Sequence, residues 1–214
     1  MTNQLIQKKV KRISINVMED FVLNQVVSNK VISLETALLN SLTGRNRITF
    51  DKLKGVYYNL DSIFASDIEN SIVDVNKIKK LTVDVYTQGL NLLDRIKNLS
   101  LHVSANNFDI LTEENKELTD ELNKCTSEKL RVMIKERLDK NTKNIDLVKK
   151  YNDQVDELLC QVGLCIDSLR GISLELPELI NHKSKDEFDK ILLELNTRIE
   201  FAQRVKAEYI RQGI

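Results

Sequence analysis

Apolar side chains recur at spacings of three and four along most of this chain, the period of an amphipathic helix. The longest run is Ile68, Ile72, Val75, Lys79, Thr82, Tyr86, Gly89, Leu93, Ile96 and Val103. A second row of Ile78, Leu81, Val85, Leu92 and Leu99 widens the face. Ser66 and Glu69 stand at capping-box spacing ahead of it. The pattern predicts a helix of about ten turns that ends near "SANNFD". Lys79 can lay its stem along the ladder and keep its charge in water. A glycine inside a helix costs ~1 kcal/mol, so Gly89 is expected to mark a close helix crossing.

"TEENKELTDELNKC" opens the next helical pattern, with Thr112 as candidate cap and acids in the first turn. Leu118, Leu122 and Cys125 start a seam. Further on, Ile145, Val148, Asn152, Val155, Leu159, Val162, Ile166 and Leu169 keep an unbroken heptad register. Between the two, Leu130, Met133, Ile134 and Leu138 slip out of phase, close to the polar run "DKNTKN" at 139–144. Two structures fit: one helix from about 112 to 170 with a stutter, on the order of 90 Å long, or a hairpin turning at Asn141–Asn144. No Gly or Pro marks a turn, so the continuous helix is the preferred expectation. Gly171 and Pro177 are expected to end the pattern. Ser184 and Glu187 then cap a last helix with Phe188, Ile191, Leu195, Ile199, Ala202, Val205 and Tyr209 on one face.

The first segment is read as a helix with Ile6, Val10, Ile13, Val17 and Phe21 on one side and Lys8, Lys9, Lys11 and Arg12 on the other, although "RISINV" alone alternates like a strand. "SLETALLNSLTG" reads as a short helix, capped by Ser33 and ended by a left-handed Gly44. "RNRITF" reads as loop or short extended chain, and "DKLKGVYYNLDSIF" as another short helix. The expected fold is therefore all-α: an elongated helical bundle or coiled coil of about three long helices behind shorter N-terminal ones. Residues 1–62 would form a basic short-helix region and 63–214 an acidic long-helix bundle, or the two a continuous domain.

Composition sharpens this. One Pro and six Gly in 214 residues leave little to interrupt helices. The 32 basic and 32 acidic side chains cancel, which argues against a protein built to coat nucleic acid. The charge is uneven: residues 1–60 carry nine basic and four acidic side chains, a net +5, which leaves −5 for the rest. No run approaches the ~18 apolar residues of a membrane span, and no apolar block follows the first basic cluster as in a secretory signal. An odd count of three cysteines points to a reducing cytoplasm.

The residues that could carry chemistry are few. Cys160 and Cys165, if helical, sit about 7.5 Å apart along the axis and roughly 140° apart around it, which suits neither a disulfide nor joint metal ligation. Val162 and Ile166 surround them, so both read as core packing, and Cys125 likewise. The only histidines, His102 and His182, have leucine rather than glutamate three residues upstream, which excludes a bundle di-iron motif. No two glycines are closer than eight residues, so no phosphate loop is present, nor is a Gly-x-Ser-x-Gly elbow. We expect no catalytic residue, cofactor or metal.

What remains is surface. Amphipathic helices need something to cover their faces. The favoured expectation is a non-enzymatic scaffold or adaptor that joins protein partners, including copies of itself. Its seam would be Ile145, Val148, Val155, Leu159, Val162, Ile166 and Leu169, with Phe188, Leu195, Ile199 and Ala202 on the last helix. The alternative is a peripheral membrane protein that lays Lys8, Lys9, Lys11 and Arg12 on an anionic surface. A helical ligand binder or enzyme is the third reading, which a closed pocket with converging polar groups would reveal.

Overall fold

A computed structural model of the chain describes residues 29–65 and 75–181, with Leu193 and Thr197 beyond them. Among the described residues the secondary structure is helical, with no strand. The fold is an all-α bundle. The chain divides into two compact units, Met1–Ser41 and Leu42–Ile214. The expected N-terminal basic helix, the Ser66–Glu69 capping box, the Ser184–Glu187 box and the face of the last helix lie outside the described residues.

In the first unit, residues 29–41 form α1. Val31, Glu35 and Leu38 are buried on one side of it, at spacings of four and three. Ser33 is interior to this helix, not its cap.

The second unit begins at Leu42. Its helices are α2 (Gly44–Ala65), α3 (Val75–Ala105), α4 (Phe108–Lys124) and α5 (Glu128–Asn181). Gly44 has φ +53°, the left-handed conformation expected of it, and is the first residue of α2. "RNRITF" is helical rather than extended and makes the first turns of α2, where Phe50 is wholly buried.

Antiparallel pairing of α2 and α3 follows from their contacts: Asn46 donates to Ser100 Oγ at 3.2 Å, Leu53 packs on Gly89, Tyr57 stacks on Tyr86 at 3.9 Å, and Lys79 Nζ lies 3.9 Å from Asp61. Gly89 is the close crossing its sequence position implied. A Cβ there would meet Leu53 Cδ2 at 2.6 Å, and Leu53 is itself fully buried.

The 54 residues of α5 span about 81 Å and run against the other three helices. His102 of α3 meets Tyr151 of α5, ring centroids 5.7 Å apart, and Lys149 lies over Phe108 of α4. Asn141 donates to the Leu111 carbonyl at 2.7 Å. Rising α5 numbers therefore meet falling numbers on both α3 and α4, and these two lie end to end along it. They are separated at Asn106–Asn107, where the Asn107 side chain accepts from Asp109 N at 3.0 Å and caps α4. Thr112 is not the cap: its hydroxyl donates back to the Phe108 carbonyl inside the helix.

Neither expected form of the 112–170 segment holds. The chain does reverse, but at residues 125–127, and the polar run 139–144 lies inside α5. Ser127 supplies the first carbonyl of α5, accepting from Arg131 N at 2.9 Å. Glu128 in the first turn suits the helix dipole. The slipped phase at 130–138 now has a cause: Ile134 and Leu138 face α4, while Leu130 and Met133 are exposed near the turn. Gly171 and Pro177 do not end the helix, which continues to Asn181. Buried Leu169, Ile172 and Leu176 anchor that stretch against the bundle, so the hydrogen bond proline removes is not enough to break it.

Three of the helical glycines, Gly55, Gly89 and Gly163, make a stability test. Gly55 and Gly163 have nothing within 4 Å of an added Cβ, so each Gly→Ala change should raise stability by ~0.5–1 kcal/mol through a stiffer unfolded chain. Gly89→Ala gains the same propensity but overpacks Leu53, and should lower stability by a net ~1–2 kcal/mol. Urea midpoints at constant slope read all three changes. A stabilised Gly89→Ala would mean that the α2–α3 approach is looser than described.

Candidate functional site

The expected partner seam is inside the chain. Ile145, Val148, Val155, Val162, Ile166 and Leu169 are buried and Leu159 is half-buried, on the side of α5 that faces α2, α3 and α4. Each such aliphatic contributes ~1.5–3 kcal/mol when fully covered. This face is covered by the chain's own helices. Phe188, Leu195, Ile199 and Ala202 lie outside the described residues, as do Lys8, Lys9, Lys11 and Arg12. So does His182.

The cysteines do not share one environment. Cys165 is fully buried, and desolvation pushes its thiol from 9.0 up to about 12. Cys160, expected in the core, is exposed, because five residues along a helix turn it onto another side of α5. Cys125 is half-buried in the turn after α4, its Sγ 3.5 Å from the Ser127 carbonyl. All three are free thiols. Among the described residues no three His, Cys, Asp or Glu side chains gather in a way that could hold a metal ion. A shallow groove of about 220 Å³ runs between α3 and α5, lined by Leu99 and Leu158 with Gln154, Glu157 and Gln161. Among the described residues no helix is long and apolar enough to cross a membrane.

The surface with most pattern is on the α4–α5 hairpin. Leu111, Asn115, Leu118 and Leu122 of α4 face inward, as do Ile134, Leu138, Asn141, Ile145 and Val148 of α5. The residue just before each inward one is turned ~100° to the side, in the same sense on both helices. In an antiparallel pair that puts both flanking rows on one face of the hairpin. On α4 the row is Ile110, Glu114, Glu117 and Glu121; on α5, extended to the turn, it is Lys129, Met133, Arg137, Lys140, Asn144 and Leu147. Contacts confirm the sidedness, since Asn115–Thr142 and Phe108–Lys149 mark the opposite face. Thus one face carries an acidic row beside a basic row, with Ile110, Met133 and Leu147 exposed at 57%, 54% and 45%. Lys124, beside the turn, is the exception to the acidic row. Among the described residues none of Glu114, Glu117, Glu121, Lys129, Arg137 and Lys140 forms an ion pair; the one pair in this hairpin is Lys116–Glu113.

Sequence reasoning missed this face because it followed the apolar line. The signal lay one position before it, in the signs of the flanking charges. No protein-family model, no curated protein and no solved structure matches the chain.

Thiol accessibility checks the site map. At pH 8 a thiol reagent should modify Cys160 first and Cys125 more slowly, and leave Cys165 unmodified until the chain unfolds. The unfolded Cys165 thiol ionises from about pH 9 and the folded one only near 12. Its contribution to stability is therefore complete below pH 9 and is lost as pH rises through that window. A Cys165→Ser variant should lose that part of the alkaline slope. Fast labelling of Cys165 in the native chain would contradict the packing described.

Proposed function

We propose that the chain is a non-enzymatic helical scaffold or adaptor that joins protein chains, its own copies among them, in a reducing cytoplasm. The observation that carries this reading is the α4–α5 arm. α3 ends at Ala105, and α4 continues along α5 for about 25 Å as a pair of helices sharing one seam. Among the described residues this two-helix arm encloses nothing; it offers reach and lateral surface. Its outer face combines sorted charge with three exposed apolar side chains, the composition of a surface that selects a polypeptide. Free thiols fit the reducing compartment. The α3–α5 groove is too shallow to bury a metabolite, so a ligand-binding reading has less support.

A photo-reactive amino acid at Met133, compared with one at exposed Lys52 on α2, tests the proposal in the cell of origin. Covalent adducts to a defined polypeptide from position 133, absent from 52, are the expected result. No protein adduct from either position, with the chain recovered alone, would overturn it.

A further inference from the structure

We propose that the sorted face of the α4–α5 hairpin docks a second copy of this chain, tips aligned, with each copy's α4 lying over the other's α5. This rests on the scaffold reading and names its partner.

Two observations point to a copy rather than to another occupant. The first is self-complementarity. A two-fold axis parallel to the hairpin places the acidic row of one copy on the basic row of the other, and does so twice. The levels agree. Within the hairpin, Asn115 meets Thr142 and Leu111 meets Asn141. On that register Glu114 stands level with Lys140, Glu117 with Arg137, and Glu121 with the stretch between Met133 and Lys129. Across the axis these become cross-copy pairs. Ile110 of one copy comes beside Leu147 of the other at the base of the arm, and Met133 supplies apolar contact toward the tip. The other face-to-face arrangement, with tips opposed, would set acidic row on acidic row and is excluded by charge.

The second observation is a local cost. Glu114, Glu117 and Glu121 follow one another at three and four residues, the spacing at which like charges repel along a helix. Basic residues three or four away on α4 would relieve this locally, as Lys116 does for Glu113 at 3.0 Å. Glu114 and Glu117 have none, and Glu121 has only Lys124 beside the turn, while the opposite charge stands on the neighbouring helix. A second copy brings that charge directly onto the row.

Sedimentation of the purified full chain tests this. The wild type should form dimers that weaken as salt rises, because exposed ion pairs are screened. Reversing the acidic row (Glu114→Lys, Glu117→Lys, Glu121→Lys) should raise the dissociation constant more than ~100-fold, six attractions having become repulsions. Reversing the basic row (Lys129→Glu, Arg137→Glu, Lys140→Glu) should do the same. Mixing the two monomeric variants should give a heterodimer, and placing all six changes in one chain should restore the homodimer. Those last two results also show that the variants fold. A wild type that stays monomeric at ~100 μM, or dimers indifferent to either reversal, would overturn the proposal, as would cross-links from position 133 to residues 182–214 of the same chain. The scaffold reading would survive such a result if position 133 still forms adducts with a different polypeptide.

Discussion

One constraint organises the described part of the Leu42–Ile214 unit: the apolar line of α5 is longer than any other described helix that covers it. Left in water, each of its aliphatics would forgo ~1.5–3 kcal/mol. The chain answers with shorter helices laid along it. Among the described helices, α3 takes the C-terminal part together with α2, and α4 takes the N-terminal part. The break at Asn106–Asn107 and the reversal at 125–127 both follow, because α3 and α4 must run in line while α5 returns past them. Leu130 shows where the covering stops. It stands on the inward line of α5, one turn before buried Ile134, yet is half-exposed because α4 has ended.

Polar and tight contacts then set which of many similar packings forms. Apolar stripes alone would let α4 slide on α5 by a turn at small cost. Asn141 opposes that: buried in the seam, it finds acceptors at Leu111 O and Asn115 Oδ1 in this register and would lose them in the next. A buried asparagine lowers stability relative to leucine but narrows the alternatives. On the other side, the flat stack of Tyr57 on Tyr86 and the insertion of Leu53 against Gly89 hold α2 at one height on α3. The "DKNTKN" run, which the sequence leaves open between mid-helix and a turn, is thus the place where the hairpin is locked.

The long-range pattern was legible and the ends were not. Ile78, Thr82, Val85, Tyr86, Leu92, Leu93 and Ile96 are buried as their spacing implied, because a 3.6-residue period over many turns leaves one choice of face. Gly89 was legible for a related reason, its cost in a helix requiring a close neighbour. The turns were hidden because neither contains Gly or Pro. The chain reverses through "CTS", where Ser127 begins the next helix and Glu128 meets its dipole, and breaks at "NN", where one asparagine side chain caps. Thr112 lost to Asn107 because the helix began one turn earlier than the run of acids suggested. Pro177 and Gly171 carried too much weight, since packing by Leu169, Ile172 and Leu176 outweighs a single missing hydrogen bond. The misreading of Cys160 came from treating an apolar stretch of sequence as an apolar surface, when a helix turns neighbours to different sides.

The candidate interaction face shows why seam and partner surface need not coincide. A heptad line reveals that something covers a helix, but not whether the cover is the same chain. Here the cover is the chain itself, so on the proposed reading recognition of another chain falls to the flanking rows. Those rows have a property the seam lacks. Their charges are sorted by helix, acidic on α4 and basic on α5, rather than alternating along each. Alternation would satisfy every charge locally at i,i+4 and make the arm indifferent to its surroundings. Sorting leaves each row in want of the opposite sign at a fixed height and in a fixed direction. On the proposed reading, the internal seam of α5 makes the arm straight enough for those heights to match, and the sorted rows make it selective.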